Sequence, residues 1–558
     1  MLSGIFTLFR KQFQKKEKKL SCLLNRKTAI LAAVLTAALL VIGGIVLNDI
    51  PVRDVASRYA PMCEAFARGD WQYAFHPRIQ PLQVISGGII AWLFHCDGFT
   101  ALKIASALWF FAGIFTAWKL FREIYPEKPY IAAAAVVFCS IFPCNIHMAI
   151  SGLRESGKTF ILLLTALALV KIWRNVKSYY PFILLGIGCF LAVLCRADMI
   201  MSGIFLLFTG VVLECREKRF PRLSLISTAI TALGILLNSL LNTHICGHAM
   251  PDYRFAEVFQ EMTGEPAQFT DISQLTLLLM FLLVSAAVIT AWMLKKIPVA
   301  IFLAVPFILT VATSIRAGLN DEEHSAGEFI SSLLGGCYHA VGIFSLLAII
   351  YLIWRKRFNT GEFLLCLTLL ANAFFNIVPI QLFHKSLYVS DRYLYVAMPL
   401  MAGFFAIGIN EIYQFIRHKI NPLTANILLT LSCAAMCGGM IFHAIQPTLR
   451  ERTREKEIIM RRGIWELATL IREDYDGEKY RENIFDLNNY NSDQAPFIQF
   501  DSSSKITVAA YLAGGSTSFK DIDYFVGEKL PGKFRKKAVF LTEINFGKYS
   551  KKVWRITK

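Results

Sequence analysis

Apolar runs of about 20 residues recur along most of the chain, and short stretches rich in Lys and Arg separate them. A run of that length forms a helix that crosses the roughly 30 Å hydrocarbon core of a bilayer. The pattern predicts spans near 28–47, 100–121, 130–150, 160–174, 181–195, 198–213, 223–241, 273–294, 298–315, 333–354, 361–380, 394–416 and 424–443. We therefore interpret residues 28–446 as an all-α polytopic membrane domain with about 13 transmembrane helices.

Composition supports this class of protein, because 55% of the 558 residues are hydrophobic and 18% are charged, with a mean hydropathy of +0.49. The net charge of +18 could indicate a nucleic-acid partner. However, the basic residues lie in short loops between apolar runs, and no basic groove with interleaved aromatic residues is evident. We expect no nucleic-acid partner. The 13 cysteines lack metal-ligand or CxxC spacing and are interpreted as small core residues.

The distribution of basic loops predicts the topology. Cytoplasmic loops are predicted at 121–129, 171–180, 214–222, 294–298, 354–358 and 416–419. The basic segment 1–27 is then cytoplasmic, and the chain is a multi-pass protein of the inner or plasma membrane. One apolar stretch, 82–96, does not fit this alternation, so we interpret it as a broken or re-entrant helix on the outer side.

After about residue 446 the chain becomes charged, which predicts a soluble external α/β domain at 447–558. The stretch 451–474 has the pattern of an amphipathic helix. Short strands are predicted at ENIFDL (482–487), KITVAAYL (505–512), AVFLTEI (538–544) and VWRIT (553–557).

The external segment 48–81 contains the sequence RDVASRYAPMCEAFARGDW (53–71) directly after the first apolar run. Its apolar residues recur at helical spacing, at Val55, Tyr59, Met62 and Phe66. Asp54 and Arg58 are four residues apart and share a face beside this stripe, and Gly69 is placed to end the helix. An interfacial helix with an ordinary ion pair would also show this pattern.

Further ionisable residues fall in the predicted external loops. FHPRIQPL (75–82) carries two of them between prolines, and later loops add more: His76, Arg78, Arg154, Glu155, Arg196, Asp198, His384, Lys385, Asp391 and Arg392. Ionisable groups at membrane depth are costly and usually mark a functional site. A cluster rich in Arg with a few carboxylates suits a lipid-linked phosphate together with a general base.

With these residues in view, 53–71 and the proline-containing stretch after it resemble the first external loop of GT-C glycosyltransferases. The pattern is most similar to the aminoarabinose transferases of lipid A and the protein O-mannosyltransferases. SDRYLYVAMPL (390–400) resembles a late Arg-Tyr-Leu…Pro helix of the same family. The resemblance covers most of the membrane region, and it implies a GT-C fold with an external C-terminal domain.

The resemblance also implies roles for individual residues. It places the catalytic base at Asp54, and Arg58 and Tyr59 near the donor phosphate. Arg392 and Tyr393 match the late motif. Two positions depart from the family pattern. Val55 replaces the Glu of an Asp-Glu pair, which leaves a divalent metal open and no cofactor certain. Ile79-Gln80-Pro81-Leu82 lacks the lysine of Lys-Pro-Pro-Leu, a position that His76 or Arg78 would fill.

Residues 152–159, GLRESGKT, satisfy the pattern of a nucleotide-binding P-loop. That loop requires a preceding strand and a surrounding βαβ sheet, whereas this stretch joins two predicted transmembrane helices. We therefore reject nucleotide hydrolysis. Glu155 remains a candidate for a second acidic position.

The expected function is transfer of a sugar from a polyprenyl-phosphate donor, on the outer face of the membrane. The acceptor is expected in the cell envelope, as lipid A or lipopolysaccharide, a polysaccharide or a protein. Asp54 would deprotonate the acceptor, and Arg58, Arg196 and Arg392 would stabilise the lipid phosphate. A lipid or polysaccharide transporter or flippase, and a catalytically inactive envelope-assembly scaffold, are the alternatives.

Overall fold

The computed structural model describes residues 26–47, 55–75, 79–216, 220–246, 339–355, 359–376 and 396–452, and, in part, residues 463–557. The described helices of the membrane domain are α1 (Arg26–Leu47), α2 (Ala60–Ala67), α3 (Trp71–Ala74), α4 (Leu82–Phe94), α5 (Gly98–Ile124), α6 (Pro129–Ile141), α7 (Pro143–Ile150), α8 (Glu155–Arg174), α9 (Tyr180–Cys195), α10 (Ala197–Cys215), α11 (Ser224–Cys246), α12 (His339–Trp354), α13 (Thr360–Asn376), α14 (Met398–Lys419) and α15 (Pro422–Arg452). A π-helical turn, Val55–Tyr59, precedes α2.

The membrane domain has one main apolar core, to which α1, α5 to α10 and α12 to α15 contribute buried side chains. Five described helices are long and apolar enough to cross a membrane, namely Lys27–Leu47, Gly98–Ile124, Glu155–Arg174, Ser224–Leu241 and Pro422–Ile445. The chain is thus a helical multi-pass membrane protein, as predicted. The total of about 13 spans stays a prediction, because the spans at 273–294 and 298–315 lie outside the described residues.

The predicted span 130–150 consists of two helices, α6 and α7, which meet at an angle of 47°. Pro143 lacks an N–H group, and its ring disfavours the helical conformation at the residue before it. Phe142 accordingly leaves the helix, with φ −58° and ψ 119°. Counted together, the bent pair provides a sixth candidate span among the described helices.

The stretch that did not fit the topology, 82–96, forms the 13-residue helix α4. At 1.5 Å per residue it is about 20 Å long, which is shorter than the hydrocarbon core. His95 then adopts a left-handed conformation with φ 49°, and Asp97 caps α5 by accepting a hydrogen bond from the Thr100 amide at 2.9 Å. The length of α4 is compatible with the re-entrant interpretation, which remains a prediction.

The C-terminal part contains a six-stranded sheet of order β1-β2-β3-β4-β6-β5. Its strands are β1 (Leu487–Asn488), β2 (Phe497–Phe500), β3 (Val508–Tyr511), β4 (Tyr524–Gly527), β5 (Ala538–Asn545) and β6 (Ser550–Ile556). Only β3 and β4 pair in parallel. The four predicted strands correspond to β1, β3, β5 and β6. Strands β2 and β4 were not predicted. All four residues of β4 are buried, so it shows no alternation.

The described residues of the predicted helix 451–474 include buried Leu467 and Ile471, which are one helical turn apart. The Asp474 carboxylate accepts hydrogen bonds from the Tyr524 hydroxyl and from Arg555, each at 2.9 Å. These contacts join the helical segment to strands β4 and β6. They support the prediction of a combined α/β unit, whose boundary at 447 stays a prediction.

The external placement of this unit can be tested by cysteine labelling in intact spheroplasts. In a Cys215→Ser background, we expect Lys536→Cys to react with a membrane-impermeant maleimide, because residue 536 is exposed in the predicted external domain. Lys177→Cys is the matched control, because it is exposed in the predicted cytoplasmic loop 171–180. It should react only after permeabilisation. The reverse labelling pattern would contradict the topology.

Candidate functional site

The stripe predicted in 53–71 is an internal packing face. Val55, Tyr59 and Met62 are buried, and Phe66 packs against them. Their partners come from α4, α5, α7 and the segment after α7, and include Val84, Phe99, Leu102, Met148 and Leu153. The helix is therefore fixed against protein through this face, rather than lying with it against lipid.

The second half of α2 is fixed by specific contacts. Gly69 has φ 78°, and the amides of Gly69 and Asp70 donate to the carbonyls of Phe66 and Ala65. This is the Schellman arrangement, which confirms the prediction that Gly69 ends the helix. Glu64 accepts a hydrogen bond from the Gly98 amide at 3.1 Å, which joins α2 to the start of α5.

The segment 151–154 packs near Val55, in the turn before this helix, and is fixed by polar contacts. Gln83 of α4 donates to the carbonyl of Gly152 at 3.0 Å and to the Ser106 hydroxyl at 3.1 Å. Ser106 in turn donates to the carbonyl of Leu153 at 2.8 Å. Gly152 has φ 77°, and a Cβ atom there would lie 3.2 Å from Leu102 and 3.4 Å from Val55. The position favours glycine on both counts.

This segment leads into α8, so that Arg154 and Glu155 lie at the start of the helix. Glu155 is 2% exposed, and its Oε1 atom lies 3.7 Å from Nη1 of Arg196, which stands between α9 and α10. The Arg154 guanidinium lies 5.5 Å from the centre of the Tyr59 ring. Its Nη1 atom is buried and has no hydrogen-bond partner among the described residues. The contact connects the RESGK segment to the Arg58-Tyr59 pair.

The resulting site is positively charged. Glu155 and Lys158 are buried, and Arg58, Arg154 and Arg196 are partly buried. Arginine and lysine side chains bind phosphate through charge-assisted hydrogen bonds. The site can therefore hold a phosphate near a carboxylate.

A small cavity of about 20 Å³, with room for about one water molecule, adjoins Glu155. Val396 and Pro399 line it from the other side. These two residues belong to SDRYLYVAMPL, so the end of the late motif lies beside the Glu155 segment. The two stretches are separated by about 240 residues in the chain and converge in the fold.

The structure thus brings together four of the predicted site residues, Arg58, Tyr59, Glu155 and Arg196. The other predicted site residues, Asp54, His76, Arg78, Arg392 and Tyr393, lie outside the described residues. Their roles stay predictions.

Sequence reasoning missed three polar residues near this region. Lys103 is 3% exposed, and its Nζ donates to the Ile45 carbonyl at 2.7 Å, which fixes the end of α1. Gln83 holds the 151–154 segment, as described above. Gln80 is buried, and its amide nitrogen has no hydrogen-bond partner among the described residues. Lys103 and Gln83 are single polar residues in apolar runs and gave no periodic signal, and Gln80 was considered only as part of the 79–82 stretch.

The structure around GLRESGKT (152–159) differs from that of a P-loop, as predicted. Helix α7 precedes it where a P-loop would have a strand, and α8 begins at Glu155. Lys158 is 1% exposed inside the bundle. A P-loop lysine must instead reach the phosphates of a bound nucleotide.

The described residues do not provide a metal site. No group of three His, Cys, Asp or Glu side chains among them could hold an ion. Val55, at the position of the missing Glu, is buried in the apolar contact with Gly152.

Similarity to known proteins was found among solved structures. No protein-family model and no curated protein matches the chain. Oligosaccharyltransferase AglB of Archaeoglobus fulgidus, solved with an inhibitory peptide and a dolichol-phosphate, is 15% identical with a TM-score of 0.47. That match covers 82% of this chain and 60% of AglB. ArnT of Cupriavidus metallidurans bound to undecaprenyl phosphate is 14% identical with a TM-score of 0.32, covering 70% and 81%. The chain spans about three fifths of the length of the archaeal oligosaccharyltransferase.

Proposed function

We propose that this chain is a membrane glycosyltransferase that moves a sugar from a polyprenyl-phosphate donor to a cell-envelope acceptor on the outer face of the membrane. The observation that carries the proposal is the buried, net positive site in which Arg154 lies over Tyr59 and Arg196 pairs with Glu155. The acceptor classes are lipid A or lipopolysaccharide, polysaccharide and protein.

A lipid phosphate fits this site better than a soluble anion does. The site lies at the ends of helices that are long enough to cross the membrane, so its depth matches that of lipid headgroups. Arginine has five N–H donors in a planar fork and binds phosphate in bidentate fashion. Arg196 can therefore hold Glu155 and still direct other donors at a phosphate. Arg154 contributes a buried N–H group that no described residue binds.

The proposed reaction is a displacement at the anomeric carbon. The acceptor hydroxyl oxygen forms a bond to that carbon, and the bond from the carbon to the phosphate oxygen breaks. Polyprenyl phosphate leaves with the electron pair, and Asp54 takes the acceptor proton as general base. Arg58, Arg154, Arg196 and Arg392 stabilise the negative charge that develops on the departing phosphate.

Binding of polyprenyl phosphate tests the site directly, because this lipid is released from every donor of the proposed class, whichever sugar is attached. Purified full-length protein in nanodiscs should bind it saturably. Arg154→Ala should weaken binding about 10- to 100-fold, because it removes a charged hydrogen-bond donor. Arg174→Ala is the matched control at the other end of α8, where the arginine pairs with Glu123, and it should bind like wild type.

Two results would contradict the proposal. Absence of saturable binding by the wild-type protein would reject the lipid-phosphate donor. If the wild-type protein binds saturably and Arg154→Ala binds with the same affinity, only the placement of the phosphate beside Arg154 is rejected.

A further inference from the structure

Three consecutive cations, Arg535, Lys536 and Lys537, lie at one end of the C-terminal sheet, and all three are exposed. They belong to a 3₁₀ turn, Gly532–Lys537, that leads directly into β5. The sequence of this turn, GKFRKK, contains no carboxylate. The turn is therefore a positively charged element of the surface.

The turn is held in place by its contacts with the sheet. Phe534 is buried and packs in one apolar cluster with Phe525 and Ile556. The carbonyl of Lys537 accepts hydrogen bonds from the amide and the hydroxyl of Thr557, at 2.6 and 2.8 Å. Because the apolar side chain of the turn faces the sheet and the backbone is fixed at the end of β6, the cations project into the surroundings.

Two apolar side chains are exposed directly after these cations. Val539 is 43% exposed and Phe540 is 53% exposed, and as consecutive strand residues they point to opposite faces of β5. Strand β5 is at the edge of the sheet. Edge strands of soluble domains are usually protected by charged residues at their exposed positions. Two exposed apolar residues at this edge therefore favour a surface that another molecule covers.

The other end of β5 has a different character. Glu543 is exposed there and accepts a hydrogen bond from the Ser550 hydroxyl at 2.7 Å. It is paired across the ladder with Lys552, so this pair carries no net charge. The run of exposed cations and the exposed apolar pair thus coincide at one end of the sheet.

A short connection attaches the C-terminal unit to the membrane domain. Helix α15 contains a candidate span, Pro422–Ile445, and ends at Arg452. The described part of the next helical segment begins at Gly463, and the chain between these two residues can extend over at most about 40 Å. A bilayer surface is therefore always within reach of the unit, at a high effective concentration.

We propose that this end of the C-terminal unit docks onto the membrane that the chain spans and recognises anionic phospholipid headgroups. The cations of the turn bind the headgroup phosphates, and Val539 and Phe540 enter the boundary between headgroups and acyl chains. A soluble anion would satisfy the cations but would leave the apolar pair in water. An anionic bilayer surface satisfies both. The inference depends neither on the proposed transferase activity nor on which leaflet the unit faces.

The test uses the full-length protein in nanodiscs, with the photoreactive amino acid benzoylphenylalanine in place of Phe540. The nanodiscs contain phosphatidylcholine alone or an equal mixture of phosphatidylcholine and phosphatidylglycerol, and mass spectrometry measures the lipid attached after irradiation. We expect at least about fivefold more lipid adduct in the mixture, because each cation near an anionic surface contributes about that factor. Benzoylphenylalanine in place of Asn545, at the far end of β5, should give little adduct in either nanodisc.

The contribution of the turn is measured with Lys536→Gln in the protein that carries benzoylphenylalanine at position 540. At the NaCl concentration that halves the adduct of the parent protein, the yield responds directly to the docking equilibrium. A fivefold smaller equilibrium constant there should lower the adduct about threefold. Lys552→Gln is the matched control, because it removes an exposed lysine at the far end of the sheet, and it should retain the parent yield. Thermal unfolding establishes that both variants are folded.

Each departure from these results would overturn a stated part of the proposal. Equal adduct in the two lipid compositions would overturn the recognition of anionic headgroups. Absence of lipid adduct, or crosslinking of residue 540 to a second copy of the chain, would overturn the docking itself. Equal losses in Lys536→Gln and Lys552→Gln would overturn the assignment to this end of the sheet. Saturable binding of dextran sulfate without any lipid adduct would assign the turn to an anionic polysaccharide instead.

Discussion

Replacing Asp54 with Asn should lower sugar transfer by about 10²–10⁴-fold, the range typical of a lost general base. The amide keeps the size of the side chain but cannot take the proton of the acceptor. Cells that carry only this variant should accumulate unused polyprenyl-phosphate sugar, as cells without the gene would. Lipid mass spectrometry detects this accumulation whichever sugar the donor carries.

The control for this prediction is Asp70→Asn in the same external segment. Asp70 precedes α3, and its side chain makes no capping hydrogen bond, so this variant should leave donor lipids at the wild-type level. Binding of polyprenyl phosphate at wild-type affinity would establish that the Asp54→Asn protein is folded and inserted. Wild-type transfer by such a protein would contradict the role of Asp54 and direct attention to Glu155 and Asp198.

The sequence predicted the secondary structure around the site well, because local rules determine it. The stripe of Val55, Tyr59 and Met62 follows from helical spacing, and the end of α2 follows from the conformational freedom of Gly69. The surface that covers the stripe could not be predicted. An apolar helix face looks the same in sequence whether it packs against lipid or against Leu102 and Leu153.

Long-range polar contacts were the least predictable part of the site. Lys103 binds the carbonyl of Ile45. Every residue has a backbone carbonyl, so the sequence does not indicate which one a side chain will bind. Gln83 likewise binds backbone at Gly152. Glu155 and Arg196 were each recognised as costly ionisable residues, but their pairing depends on how α8, α9 and α10 pack. Burial of both partners, which decides the energetics of the pair, is a property of that packing alone.

The Glu155–Arg196 pair leads to the largest expected effect on stability. The side chains are 3% and 11% exposed, so either single substitution breaks a buried ion pair in a low-dielectric environment. Glu155→Gln and Arg196→Gln should each lower the free energy of unfolding by about 3 kcal/mol. Denaturant unfolding of the protein in mixed micelles measures this loss.

The double variant distinguishes a coupled pair from two independent residues. Glu155→Gln with Arg196→Gln removes both charges, so its loss of stability should be clearly smaller than the sum of the two single losses. Glu123→Gln is the matched control, because the Glu123 carboxylate pairs with Lys171 and Arg174 in a more exposed setting. It should cost about 1 kcal/mol or less. Additive losses in the double variant would show that Glu155 and Arg196 are not coupled. The pair would then not be part of the phosphate site.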